Sequence, residues 1–250
     1  MASSAELVKE AFDRPKDNPM TESSVSLVKF WSLDQRLTFF LACLVLIIFV
    51  ILPLAGLGIL GKFVVDLVLS MLMISGVIAT GRSLALKIFV ASLTIGGLIF
   101  HWTNVYVLSQ RHPVLDSLLL MLCLFAFAAI TLMQLFSPGP VNLHRVLGAI
   151  AAYLLIGLMW AYAYRLTDLK IPGSLRFVGS FADGEAPMAR YVYFSFTTLT
   201  TIGYGDVLPA HPLSRMLAVS EALTGQLYPA VLIGGLLAMA LQSRVQRDER

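Results

Sequence analysis

Hydrophobic positions in this chain come in long blocks, not in the alternation of a half-buried strand or the stripe of a surface helix. Five blocks lie in the first two thirds: Leu37 to Leu57, Phe63 to Thr80, Leu84 to Val107, Leu115 to Phe136 and Val146 to Tyr164. Each is long enough to cross about 30 Å of hydrocarbon as a helix. A sixth block, Leu213 to Leu241, lies near the end. The connections Gly56 to Gly61, Thr80 to Ser83, Gln110 to Pro113 and Ser137 to Pro140 are short and carry turn chemistry. Residues 165 to 190 differ, forming a longer polar loop with Pro172, Gly173, Gly179, Gly184 and Pro187. After it comes a short apolar stretch, Ala189 to Thr200, too short to cross a membrane and so expected to enter and return. The predicted fold class is an all-α membrane protein with six transmembrane helices, a re-entrant helix and a loop.

Composition agrees with this pattern. Of 250 residues, 58% are hydrophobic and 13% charged, against about 25% charged in soluble domains. The mean hydropathy is +0.81. A net charge of +3 without a long basic run gives no reason to expect nucleic acid. Residues 1 to 24 read as a loose cytoplasmic tail with no cleaved signal peptide. Val25 to Arg36 reads either as an interfacial helix or as an ordinary lead-in to the first span. Cys43 and Cys123 lie in apolar blocks with no partner at metal spacing. The four histidines, His101, His112, His144 and His211, lie at span ends with no carboxylate at ligand spacing and are expected to be interface residues. No enzyme chemistry and no cofactor is expected. Gly56 to Gly61 matches Gly-x-Gly-x-x-Gly, but it joins two spans and is expected to be a flexible outer turn.

The stretch that carries chemistry is Thr200-Thr201-Ile202-Gly203-Tyr204-Gly205-Asp206. Rings of carbonyl oxygens can replace the hydration shell of a cation when several copies of a short strand turn them inward. Gly203 and Gly205 reach the backbone angles such a strand needs without steric cost. The motif and its order, span, polar loop, short helix, motif, span, resemble the potassium-channel pore family over residues 143 to 241. The resemblance implies K+ bound by carbonyls of Thr201, Ile202, Gly203 and Tyr204, with the Thr201 hydroxyl facing a cavity and Gly205 at the outer mouth. A single motif per chain implies a homotetramer. The support departs from the commonest pattern, which has two Trp where this chain has Tyr193 and Phe194. Many bacterial members also carry an acidic residue where Thr197 stands. Asp206 is present without that carboxyl partner, and the Tyr193 hydroxyl is expected to brace it. Thr197 and Thr200 complete the expected filter support.

In the last block, Gly225 falls where the family's inner helices have a hinge glycine, and a packing glycine is the alternative. Pro229 removes a helical hydrogen bond one turn later. Gln226, Pro229, Ile233 and Leu237 share one face with it and are expected to line a cavity or gate. Glu221 is read as the only acidic residue deep in a span, Asp66 and Asp116 lying near predicted ends. Its expected role is either a regulatory carboxylate or a structural hydrogen bond to Thr197 or Thr198.

The predicted division is 1–36 cytoplasmic tail, 37–140 four-span domain, 141–243 pore domain and 244–250 cytoplasmic tail. With the N-terminus inside, Lys and Arg divide eleven inside to seven outside, a modest positive-inside bias that puts both termini in the cytoplasm of an inner membrane. Trp102, Tyr106, Trp160, Tyr162 and Tyr164 then fall at outer ends and are expected to be membrane-interface anchors. Leu115 to Phe136 contains no Lys or Arg, so a charged voltage sensor is not expected. No sequence feature identifies a gating ligand. The functional expectation is a potassium-selective channel passing ions passively through the bilayer. The alternatives are a potassium-transporter subunit or a non-conducting membrane sensor that retains the pore fold.

Overall fold

The computed structural model describes residues 35–80, 84–137, 143–178 and 187–248. The predicted N-terminal tail and interfacial helix, the Ser137 to Pro140 turn beyond Ser137, and the end of the C-terminal tail lie outside them. Contacts divide the chain into Met1–Gln35 and Arg36–Arg250, and the second unit holds the fold described here.

Six helices among the described residues are long and apolar enough to cross a membrane. The first is α1, Gln35–Gly56, which widens into a π turn at Ile47–Ile51, where Leu52 N–H donates to Ile47 O. Pro53 has no N–H to continue the regular ladder, so the helix relaxes around it. Next come α2, Lys62–Ala79, and α3, Leu84–Val107, whose last residues Thr103–Val107 are again π-helical. The fourth, α4, is Pro113–Leu135, with its proline in the first turn where no N–H is needed. Then come α5, Leu143–Lys170, a short α6, Pro187–Leu199, and the long α7, Pro212–Asp248.

Two predictions change. Helix α5 runs past Tyr164 to Lys170, because Arg165 to Lys170 are polar without being helix breakers. It stops where Pro172 disfavours helical angles at the residue before it. The fold is also not purely α. Strand β1, Leu175–Phe177, pairs antiparallel with β2, Val207–Pro209, with Arg176 opposite Leu208. Three residues are too short for a hydrophobic period to announce. The pair matters because it ties the chain just after the motif to the chain just after α5.

The core runs between α1, α2, α4 and α5, where Phe40, Leu44, Leu72, Leu120, Leu124 and Leu155 are fully buried. Small residues bring helices close. A Cβ at Gly157 of α5 would come within 2.6 Å of the Phe196 ring of α6. Of the long helices α7 is the least covered, with Met216, Val219, Leu223, Leu227, Val231 and Ile233 all exposed.

Candidate functional site

The motif follows directly from the C-terminal end of α6. Thr200 N–H still bonds Phe196 O, and Ile202 and Gly203 N–H both fold back onto Thr197 O at 2.8 and 3.1 Å. Gly203 and Gly205 take φ of +54° and +80°, the left-handed angles that need no Cβ, and Thr201 is held at +58°. Thr201 to Gly205 are all exposed. The ring of Tyr204 and side chain of Ile202 are therefore uncovered by the rest of this chain. The C-terminal end of α6 carries the negative end of its dipole toward this stretch, which favours a nearby cation.

What holds the motif from behind is hydrogen-bonded. The Tyr193 hydroxyl donates to Asp206 Oδ2 at 2.6 Å, and Asp206 Oδ1 accepts from Val207 N–H. That bond, followed by burial, pushes the Tyr193 phenol up to about 12. Thr197 and Thr200 do not reach Asp206. Their hydroxyls turn back to α6 carbonyls, Thr197 to Tyr193 O and Phe194 O, Thr200 to Phe196 O. Asp168, beyond the predicted end of the fifth span, accepts from Tyr191 of α6 at 2.8 Å and from Ser174 N–H and Oγ–H. It therefore joins α5, the loop and α6.

Helix α7 approaches the motif and the end of α6 at two residues. Gln226 Nε2 donates to Thr201 Oγ1 at 3.1 Å. Gly225 lies so close to the end of α6 that an added Cβ would run into the Leu199 carbonyl oxygen. Gly225 thus packs directly on the end of α6. The helix continues without a break through Gly225 and Pro229, and Pro229 and Ile233 are exposed on it.

Glu221 is fully buried, but its partners are not Thr197 or Thr198. Oε1 accepts from Ser195 Oγ of α6 at 2.5 Å and Oε2 from the Tyr164 hydroxyl of α5 at 2.6 Å. One carboxyl thus links α5, α6 and α7 behind the motif. Sequence reading missed Ser195 and Tyr164. Tyr164 was expected at the membrane interface and is instead 0% exposed, its ring packed edge-on to Phe194 at 4.7 Å. Tyr162 is buried too. Of the expected anchors, Trp102 and Tyr106 stack on each other at 5.0 Å, and both also bond inward, to Ser70 Oγ and Asp66 Oδ2.

A second correction concerns the histidines and carboxylates of the first four helices. His101 is buried with Nδ1 2.8 Å from Asp116 Oδ1 and Nε2 3.3 Å from Asp66 Oδ1. Asp66 and Asp116 are themselves 5% and 2% exposed, so Glu221 is not alone as a buried acid. Residues 35 and 15 apart from His101 gave no local spacing by which to see the group. Among the described residues no cluster suits a metal ion.

Residues 155–242 match the family model described as "Ion channel". The chain is 32% identical over 117 residues to "Two-pore potassium channel 1" of Arabidopsis thaliana, covering 46% of this chain and 27% of that protein. It is 33% identical over 90 residues to "Two pore potassium channel c" of Oryza sativa subsp. japonica, covering 36% and 18%. It is 28% identical over 98 residues to "Voltage-gated potassium channel" of Aeropyrum pernix, covering 39% and 29%. The chain spans less than a third of the length of each of these relatives. No solved structure matches. Residues 155–242, which carry the motif, α6 and parts of α5 and α7, are thus similar to an ion-channel family, and the chain is similar to parts of proteins named as potassium channels from plants and an archaeon.

Proposed function

We propose that this protein is a potassium-selective channel in which four chains bring their Thr201 to Gly205 stretches around one axis. The observation that carries the reading is local. An uncovered Thr-Ile-Gly-Tyr-Gly, with both glycines left-handed, is held between a short helix and a long one whose apolar face is exposed. One chain has one such stretch, and a ring of oxygens around a dehydrated ion needs several. The exposed apolar face of α7 is the kind of surface that symmetric copies, and lipid, would cover.

In this reading K+ is bound by carbonyls of Thr201, Ile202, Gly203 and Tyr204 and enters from a cavity lined by Gln226, Pro229 and Ile233. Helix α6 re-enters the membrane instead of crossing it. Residues 141–243 form the pore domain, 37–140 a four-span domain, and 1–36 and 244–250 cytoplasmic tails in an inner membrane. Helix α4 contains no Lys or Arg, which argues against gating by a charged fourth span because voltage does work only on charge moved through the field. Conduction is passive and no catalytic chemistry is invoked.

The test is flux from liposomes containing the purified full chain. Potassium should pass in preference to sodium, without a coupled ion, and barium should block it. Flux obligately coupled to a second ion would favour a transporter subunit, and no flux under any tested voltage, pH, tension or lipid would favour a non-conducting sensor.

A further inference from the structure

Helix α7 reaches the foot of the motif through one polar side chain. Gln226 Nε2 donates to Thr201 Oγ1 at 3.1 Å, and both residues are exposed on the single chain. The neighbouring hydroxyls are held differently. Thr197 and Thr200 donate to carbonyls of α6 and are tied within their own helix. Thr201 lies just past the end of that helix, and its hydroxyl oxygen accepts from a different element.

That difference bears on what Thr201 can do. A threonine Cβ carries a hydroxyl and a methyl, and rotation about χ1 exchanges them. At φ +58° the Thr201 backbone is left-handed, so no preceding helical turn selects its rotamer. A hydroxyl oxygen has two lone pairs. With one on the Gln226 N–H, the other is left for a cation.

Gln226 is itself pinned from both sides. Gly225 before it is buried and lies against the Leu199 carbonyl, with no room for a Cβ. Two residues after it, the Tyr228 hydroxyl donates to Ala149 O of α5 at 2.7 Å, and its ring lies 5.4 Å from that of Tyr153. The Tyr153 hydroxyl donates to Leu199 O at 3.4 Å, closing the circuit on the end of α6. A donor whose backbone is fixed in this way gives up little freedom when it makes its bond, and can hold a ligand atom in place.

We propose that Gln226 is a positioning residue for the innermost cation site. Its carboxamide keeps the Thr201 hydroxyl oxygen, and not the methyl, turned toward the ion. It thereby sets how tightly that site binds and how well it separates potassium from sodium. The inference rests on the channel reading above and adds to it a residue outside the motif. Hydroxyls left free to rotate present methyls part of the time, and a site with fewer oxygens replaces less of a cation's hydration shell.

The probe is barium, a divalent ion close to potassium in size, titrated on the cytoplasmic face of the full-length protein in planar bilayers. In the channel reading it meets Thr201 first from that side. Gln226→Leu keeps the bulk and removes the N–H. It should weaken block by about fivefold or more, the equivalent of about 1 kcal/mol for one hydrogen bond, and lower the permeability ratio of potassium to sodium. Gln226→Asn, one methylene too short to reach, should behave likewise. In a Thr201→Val background, with no hydroxyl to hold, Gln226→Leu should change block no further. If Thr201→Val passes no current, Gln226→Leu and Gln226→Asn decide. A selective, barium-blocked parent whose Gln226 variants keep the same block overturns the inference and leaves the channel reading standing. An equal loss with and without the Thr201 hydroxyl also overturns it, since Gln226 would then act on the ion directly. A parent with no preference for potassium fails the channel reading, and the inference with it.

Discussion

Ser195 has one hydroxyl hydrogen and faces two acceptors, Gly157 O at 2.7 Å and Glu221 Oε1 at 2.5 Å. With Tyr164 on the other oxygen, Glu221 becomes the knot of three helices, and the shape of its side chain matters more than its charge. Glu221→Gln keeps an acceptor for Tyr164 and gives a donor to Ser195. It should conduct with the pH dependence of the parent, whereas a carboxylate that gates by titration would lose its midpoint on substitution. Glu221→Leu leaves Ser195 its bond to Gly157 O but strands the buried Tyr164 hydroxyl at about 1–3 kcal/mol, and a lower melting temperature of the protein should show it. The Tyr193 bond to Asp206 calls for a different test. Tyr193→Phe should hasten the loss of current during prolonged opening, and unchanged inactivation at steady voltage would argue against the brace. Because the Tyr193 phenol is raised to about 12 by its bond to Asp206, its hydroxyl keeps its proton below the ordinary value near 10. The brace is lost only as pH rises through about 12. Inactivation should therefore not quicken between pH 7 and 9. The Tyr193–Asp206 pair was legible in the sequence, lying thirteen residues apart across a recognisable motif. The Glu221 partners were not, because Tyr164 lies fifty-seven residues away and looked like an interface aromatic.

At the scale of elements, the six long helices were legible because unbroken apolar blocks leave a chain few choices in a membrane. Their ends followed proline and glycine. The exceptions have physical causes. Helix α5 continued through Arg165 to Lys170 since polarity alone does not end a helix, and Asp168 then caps the following loop through Ser174. The β1–β2 pair was invisible because its strands are only three residues each and its pairing spans the whole of α6 and the motif. The apolar run of α7 was legible, but its unbroken course through Gly225 and Pro229 was not, and the demand on Gly225 became visible only once Leu199 was seen against it. Gly225→Ala must push α7 away from the end of α6. Overpacking of this kind costs typically about 1–3 kcal/mol, and thermal dissociation of the assembly should occur at lower temperature. On the same helix, Ile233→Cys should react with a water-soluble thiol reagent applied from the cytoplasmic side and lose current. Cys43 and Cys123 are buried and should leave little background. Failure of the reagent to touch Ile233→Cys in an open channel would remove that residue from the cavity.

For the molecule as a whole, one chain presents a motif and a helix face that it does not itself cover. Thr201 to Gly205 and the apolar side chains of α7 are exposed while the core behind them is tightly closed. That exposed surface is what the proposed ring of four chains would cover. The front four helices are joined to the pore-side helices by shared packing, with Gly56 of α1 lying 3.7 Å, from where its Cβ would be, to Ala189 of α6. They place a charged cavity, and no row of fourth-helix cations, beside the start of α6. What the sequence alone made plain is the place of the motif between two helices. The buried His101 group escaped it because burial of a charge is a property of three helices together. The most direct test of the central claim is the ratio of potassium to sodium flux from liposomes containing the purified full chain. A large preference for potassium, abolished by barium and by Gly203→Ala, is the predicted result, and equal flux of the two ions would contradict it.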